Sequence, residues 1–290
     1  MAKKVLCMGS INIDLVMYMD KLPQDGETII TDNFQTFPGG KGGNQAAAAA
    51  SLGADVRFFT KLGGDSFSEY LLNEQVSRGV NIDGIVIEKS STAGIAMIRV
   101  NSAGQNSISF TPGANCLLTP EDVRQNEEIF NGCDILLITL EIRTDTVYEA
   151  IRLAKSKGMI VVLDPAPAPE DGIPDDIARL VDFVKPNETE VELLTGITVD
   201  SEASTEMALE ALKNMGFKTP IISLGSEGAV SVVEGRPIKI APLSVYTSVL
   251  CSENKLLPKR PQISLSFCPL FLDLSKGTFL LLSVLLKRFK

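Results

Sequence analysis

The sequence predicts a doubly wound α/β fold with a small β excursion near its start. Apolar runs of strand length alternate with helical patterns through the middle of the chain, as strands joined by crossover helices do. Residues 135–140 are apolar but for Thr139, as expected of a parallel strand covered on both faces. Two stretches, about 15–37 and 93–111, break the alternation with hairpin-like strands. They fit a small sheet acting as a lid over the strand ends, where open α/β sheets bind ligands.

The elements follow in order. Residues 5–9 read as a first buried strand. Residues 15–19 and 28–37 read as extended segments around Pro23-Gln24-Asp25-Gly26, a turn-forming tetrad. An alanine-rich helix covers 46–52 and stops at Gly53. A strand over 56–61 and a helix over 67–78 come next, ending at Gly79. Segments 95–100 and 107–111 flank Asn101-Ser102-Ala103-Gly104-Gln105-Asn106 and read as a hairpin. The strand at 135–140 leads to a helix over 144–157 and a strand over 160–163. Residues 183–185 precede a helix reaching Leu194, and 202–215 form another helix. Strands at 221–224, 229–233 and 238–240 follow.

Composition narrows the function. The 290 residues are ample for one large domain or two smaller ones. A net charge of −9 argues against sequence-independent nucleic-acid binding, which needs cations to neutralise phosphates. There is no histidine, so Ser-His-Asp and Cys-His catalysis and imidazole metal sites are excluded. The five cysteines lack CxxC spacing and read as reduced thiols of a cytoplasmic protein. The start has no long apolar signal stretch, and the C-terminal apolar run is too short to span a bilayer, so no membrane role is expected.

Several short patterns carry chemistry, each with a plainer alternative. Pro38-Gly39-Gly40-Lys41-Gly42-Gly43-Asn44-Gln45 places four glycines and a lysine before the alanine-rich helix. Free N–H groups at such a helix start can hold an anionic or polyhydroxylated ligand, or the glycines can serve close packing alone. It is not a Walker loop, because Gly42 rather than Ser or Thr follows Lys41. Asn12 and Asp14 are two apart, project to one side of an extended chain, and can grip adjacent sugar hydroxyls or merely form a polar loop. Glu141 ends the apolar strand at a ligand-binding position or as a solvated acid. Asn187 and Glu190 have the spacing of a helix cap with its capping-box partner, which the spacing alone favours; the same pair can hold Mg²⁺. Ser223-Leu224-Gly225-Ser226-Glu227-Gly228 is a strand entering a glycine turn, over which a nucleotide can lie.

The order of these patterns is more specific than any one of them. Asn12-Ile13-Asp14, the Gly39–Asn44 loop, Glu141, Asp164-Pro165-Ala166-Pro167-Ala168, Pro186-Asn187-Glu188-Thr189-Glu190 and Leu224–Gly228 together resemble the PfkB family of ATP-dependent sugar kinases over about residues 3–247. Within it they resemble the ribokinases more than fructokinases or adenosine kinases. The resemblance implies a Rossmann-like three-layer α/β sandwich with a small β-sheet lid. It implies a ribose site lined by Asn12, Asp14, Gly40, Lys41, Gly42, Gly43, Asn44 and Glu141. It implies that Asn187, Ser223, Leu224, Gly225, Ser226, Glu227 and Gly228 contact ATP, and that Glu190 positions Mg²⁺, directly or through water. The implied reaction moves the γ-phosphoryl group of ATP to the sugar's 5-hydroxyl. A monovalent cation (K⁺) and a homodimer through the lid are implied by the family alone.

One expected part is missing. The family carries a second signature, Asp-Thr-x-Gly-Ala-Gly-Asp, whose glycines open a helix around the transferring phosphoryl group and whose last Asp is the base. Near its expected place this chain reads Tyr246-Thr247-Ser248-Val249-Leu250-Cys251-Ser252-Glu253-Asn254. The later glycine and aspartate are Gly277 and Asp273, and no glycine-rich helix start precedes that acid, so no catalytic base is assigned. From Leu256 on, six Lys/Arg stand against one Asp, a break from the acidic chain before it. The sequence therefore reads as a kinase-like domain over 1–247, incomplete on its C-terminal side, and an atypical tail over 248–290 from a shifted reading frame, an aberrant gene end or a divergent terminus. Two functions fit: a sugar kinase with impaired phosphoryl transfer, or an inactive sugar- or nucleotide-binding relative. A nicotinamide-dependent oxidoreductase has little support, since only Gly9 is available where Gly-x-Gly-x-x-Gly would follow the first strand.

Overall fold

In the computed structural model, which describes residues 2–31, 33–233 and 236–241, the first strand is β1 (Lys4–Met8). Val5, Leu6, Cys7 and Met8 are all fully buried. Val5 and Cys7 join one apolar cluster, Leu6 and Met8 the other, as the two-residue period of a strand requires. The chain then leaves for a second sheet through β2 (Asn12–Met19) and β3 (Phe34–Gly39). It returns by α1 (Lys41–Ser51) to β4 (Asp55–Gly63), and α2 (Ser66–Ser77) and β5 (Ile85–Glu88) follow. The hairpin of β6 (Gly94–Asn101) and β7 (Asn106–Thr111) completes the second sheet. After α3 (Pro120–Gln125) come β8 (Ile135–Thr139), α4 (Thr144–Ser156), β9 (Ile160–Asp164), α5 (Asp175–Ala178) and β10 (Phe183–Val184). Helices α6 (Glu188–Thr195) and α7 (Glu202–Asn214) precede β11 (Thr219–Ser223), β12 (Ala229–Val233) and β13 (Arg236–Ile240).

The large sheet has nine strands in the order β13-β12-β11-β10-β9-β8-β1-β4-β5. Strands β11 through β5 are parallel along that order, while β12 and β13 run antiparallel at one side. Ala46 and Ala49 of α1 and Leu71 of α2 pack with Val5, Cys7, Phe58, Ile135 and Leu137 on one face. Val147 and Ile151 of α4 and Leu209 and Leu212 of α7 pack with Leu6, Met8, Leu136 and Ile138 on the other. Helices on both faces give the expected three layers, and each fully buried Leu, Ile or Val in them contributes roughly 1.5–3 kcal/mol. Among the described residues, no helix is long and apolar enough to cross a membrane.

The second sheet has the order β3-β2-β6-β7. Its two halves join through a parallel pairing of β2 with β6, from Asn12 opposite Gly94 to Met19 opposite Asn101. Within the stretch 28–37, read as strand or extended chain, the strand β3 begins only at Phe34. Just before it the Tyr18 N–H still donates to Asn33 O at 3.0 Å, but the Tyr18 carbonyl accepts from the Thr31 hydroxyl at 2.5 Å, so a side chain ends the ladder there. Three short elements, β5, α3 and α5, escaped the sequence reading because four to six residues carry too little periodicity. The tail expected over 248–290, with Asp273, lies outside the described residues, as does Thr247.

Candidate functional site

Strand order reverses at β1. From β1 the chain builds outward to β4 and β5 on one side, and later from β8 to β11 on the other. Such a switch point leaves a crevice at the carboxyl ends of the strands. The residues that follow these ends are Ser10 after β1, Glu141 after β8, Asp164 at the end of β9, Lys185–Pro186–Asn187 after β10, and Ser223 at the end of β11. At about 4.8 Å per strand the row from β1 to β11 spans roughly 19 Å, room for two ligands end to end.

The β1–β8 end is built around one carboxylate. The Ser10 hydroxyl donates to Glu141 Oε2, and the Lys41 N–H donates to both Ser10 Oγ and Glu141 Oε2 at 3.0 Å. These bonds cap α1, whose N-cap residue is Gly40 with no side chain of its own to do so. The helix therefore starts at Lys41, not at Ala46, and Gly42 and Gly43 lie inside its first turn. The Gly43 N–H donates to Ser10 O and the Asn44 N–H to Gly40 O, both at 2.9 Å. Three of the first four helical N–H groups thus have protein partners, so the glycine run is less open an anion cradle than its sequence suggests. Gly40 has φ +84°, and a Cβ there would lie 2.6 Å from Ile11 Cα, so this position requires glycine. Lys41 and Asn44 remain partly exposed.

Asn12 and Asp14 stand on β2 beside this loop and are buried. Burial, and secondarily the charge of Glu141, pushes the Asp14 carboxyl up to about 7. Its Oδ2 is buried and accepts no hydrogen bond from the described residues. An orphaned carboxylate oxygen beside a loop carrying a cation is a site for a hydroxyl donor.

In the middle of the row, Asp164 Oδ2 accepts from Gln45 Nε2 of α1 at 2.9 Å, and Lys185 Nζ lies 3.5 Å from Asp164 Oδ1. Asp164, Lys185 and Glu190 are all buried. Burial first, then the neighbouring Asp164, raises the Glu190 carboxyl to about 7, against the opposing pull of the Asn187 N–H, Lys185 and Lys41. Asn187 and Glu190 form a complete capping box: the Glu190 N–H donates to Asn187 Oδ1 at 2.8 Å, and the Asn187 N–H to Glu190 Oε2 at 2.9 Å. Beside them the Ser223 N–H donates to Pro186 O at 3.0 Å, tying β11 to the start of α6. Gly225–Glu227 form a 3₁₀ turn closed by the Leu224 N–H on Gly228 O at 2.8 Å. Residues 223–228 thus form the turn of a β11–β12 hairpin.

The structure gathers Asn12, Asp14, Lys41, Asn44 and Glu141 at one end of the row and Asn187, Glu190 and the 223–228 turn at the other. The sequence marks no role for Ser10 or for Asn115. Both act on partners more than 100 residues away, which no local spacing reveals.

A family model described as pfkB family carbohydrate kinase matches residues 2–248. The chain is 38% identical over 228 residues to the bifunctional ribokinase/ribose-5-phosphate isomerase A of Fructilactobacillus sanfranciscensis, covering 78% of this chain but 42% of that larger protein. It is 37% identical over 229 residues to the ribokinase of Staphylococcus aureus, 79% of this chain and 75% of that one. The fold is similar to that of Arabidopsis thaliana ribokinase complexed with ribose and ATP, with a TM-score of 0.77 at 31% identity over 84% of this chain and 79% of that chain.

Proposed function

The chain belongs to the pfkB family of carbohydrate kinases, and from that premise we propose that it binds ribose at the β1–β8 switch point and ATP along the ends of β10 and β11. The observation that carries this reading is the buried, unpartnered Asp14 Oδ2 next to the Glu141–Ser10–Lys41 knot. A sugar hydroxyl both donates and accepts, so Asp14 can accept from one hydroxyl while the Asn12 amide meets its neighbour. Glu141 holds the loop that carries Lys41 and keeps Oε1 for the sugar. Similarity to proteins named ribokinase supports ribose as the sugar.

At the other end, the phosphates of ATP lie between the α6 start and the 223–228 turn. Asp164 and Glu190 suit Mg²⁺: both are hard oxygen donors, and the Glu190 carboxyl, raised first by burial and then by Asp164, would be drawn to its ionised form by a cation. Bound there, Mg²⁺ supplies charge neutralisation on the phosphates. Lys185 balances Asp164 from the opposite side.

The reaction itself is impaired in this reading. Residues 247–290 offer no Gly-x-Gly-Asp to take the hydroxyl proton. A positioned base contributes typically 10²–10⁴-fold, so ribose turnover is expected to fall short of an intact ribokinase by about that factor or more. Calorimetric ribose binding with a coupled ATP assay tests both parts. Ribose binding with little or no turnover is expected. Turnover equal to that of an intact ribokinase overturns the impairment, and absence of ribose binding overturns the sugar site. Met17, Phe34 and Met97 share one exposed face of the four-stranded sheet, which supports pairing of two copies there. Sedimentation as a monomer at all concentrations removes that part.

A further inference from the structure

A buried amide outside all of the motifs controls the Asn12 side chain. Asn115 lies in the 3₁₀ turn Gly113–Leu117, just after the four-stranded sheet, and is 1% exposed. Its Oδ1 accepts from the Ile11 N–H at 2.9 Å. Its Nδ2 donates to Pro112 O at 2.8 Å, to Asn12 Oδ1 at 2.8 Å and more weakly to Ile11 O at 3.2 Å. Three of these partners are backbone groups with fixed roles: an N–H can only donate and a carbonyl can only accept. The Asn115 amide therefore has one allowed orientation. The atom of Asn12 that meets its NH₂ must in turn be an acceptor, Oδ1. The Asn12 NH₂ is left facing away from Asn115, and it donates to no group among the described residues.

Space enforces the same arrangement. A Cβ on Gly94, opposite Asn12 in the β2–β6 pairing, would collide with both Asn12 Oδ1 and Asn115 Nδ2. The amide pair is thus packed into a gap that only glycine leaves. The pair also sits where β2 and β6 enter the small sheet and the chain leaves it after β7.

We infer that Asn115 is a positioning residue for the sugar site: it fixes the Asn12 amide with its NH₂ presented to a sugar hydroxyl, so that Asn12 donates where Asp14, two residues on, accepts. This rests on the proposed sugar site and adds the polarity of its two contacts. A donor and an acceptor side by side on one strand match two adjacent hydroxyls of one sugar, each hydrogen-bonded in its complementary sense.

The test is a double-mutant cycle on ribose affinity, read by calorimetry. Asn115→Asp keeps the shape but places an oxygen against Asn12 Oδ1, which drives the Asn12 amide to turn over. A loss of at least tenfold in ribose affinity is expected, and no further loss when Asn115→Asp is added to Asn12→Ala. Equal losses in both backgrounds would assign Asn115 a structural role only and overturn the inference. Gly94→Ala drives a methyl group into the same amide contact, against both Asn12 Oδ1 and Asn115 Nδ2, while leaving both asparagines in the sequence, so it serves if Asn115→Asp does not fold. It should follow the same cycle. The Asn12 side-chain amide signals of the ribose-free protein give a readout independent of sugar. They should move in both variants, and unchanged signals overturn the clamp even if the native chain binds no ribose, an outcome that would separately remove the sugar site.

Discussion

The two ends of the strand-end row are held in different ways. At the β1–β8 end, side chains reach across the fold to backbone groups: Glu141 and Ser10 cap α1, and Asn115 clamps Ile11 and Asn12. At the β10–β11 end, the visible bonds are those any helix start and hairpin make: a capping box at Asn187 and Glu190, and a turn at 225–227. The first end is rigid before any ligand arrives. The second shows ordinary secondary-structure chemistry, with a Glu190 carboxyl raised by burial and then by Asp164. Pre-organisation is thus concentrated at the proposed sugar end, where a neutral ligand would be recognised by geometry. At the proposed nucleotide end, the charge of the phosphates and a metal ion would supply much of the attraction.

The largest effect expected on this contrast comes from Gly40→Ala. The substitution puts a side chain at φ +84° and a Cβ 2.6 Å from Ile11 Cα. Left-handed strain and overpacking each cost about 1–3 kcal/mol, so a loss of roughly 2–6 kcal/mol is expected in denaturant unfolding. A change below about 1 kcal/mol would mean that the loop yields and the sugar end is not rigid. Glu141→Ala comes next. It leaves the Lys41 N–H and Ser10 without their common acceptor, with a loss of about 1–3 kcal/mol in stability and much weaker ribose binding. Glu141→Gln should recover the stability in part, because its amide oxygen can still accept.

How far these ends were legible in the sequence follows from the same contrast. Asn187 and Glu190 were readable as a cap because both partners lie within one turn of helix. The alternating core was readable because apolar runs such as Ile135–Thr139 carry their burial in their own composition. The start of α1 was misplaced because four glycines within five residues read as loop. What makes Gly42 and Gly43 helical is the distant Glu141 and Ser10, which cap the helix at Lys41, not local propensity. The β2–β6 pairing was equally hidden, joining strands about 80 residues apart with no turn between them to mark the register.

The two raised carboxyls give a smaller, pH-dependent effect. Asp14 and Glu190 both sit at about 7 in the folded chain, above their ordinary values near 4. Between about pH 4 and 7 the unfolded chain has released these protons while the folded chain still holds them. Stability therefore falls with rising pH across that window, by up to about 1.4 kcal/mol per pH unit for each group, and levels off above about 7. Asp14→Asn should remove one group's share of that slope in thermal unfolding, and an unchanged slope would refute the assignment. If Glu190 holds Mg²⁺ as proposed, Mg²⁺ binding should also strengthen as pH rises through about 7, since the metal needs the ionised carboxylate.

The smallest effect separates capping from nucleotide contact at Asn187. Asn187→Ala removes the cap and should cost about 1 kcal/mol of stability. Asn187→Ser keeps a good cap, so its stability should stay within a few tenths of a kcal/mol of the native chain. If the asparagine serves only α6, ATP affinity measured by calorimetry will follow stability, falling for Ala and holding for Ser. If the amide also meets a phosphate, both substitutions will weaken ATP binding alike while only Ala weakens the fold. The second pattern is the one expected. The Asn187 Oδ1 and N–H are already taken up by the capping box, so it is the side-chain NH₂, absent from serine, that remains to donate across the crevice.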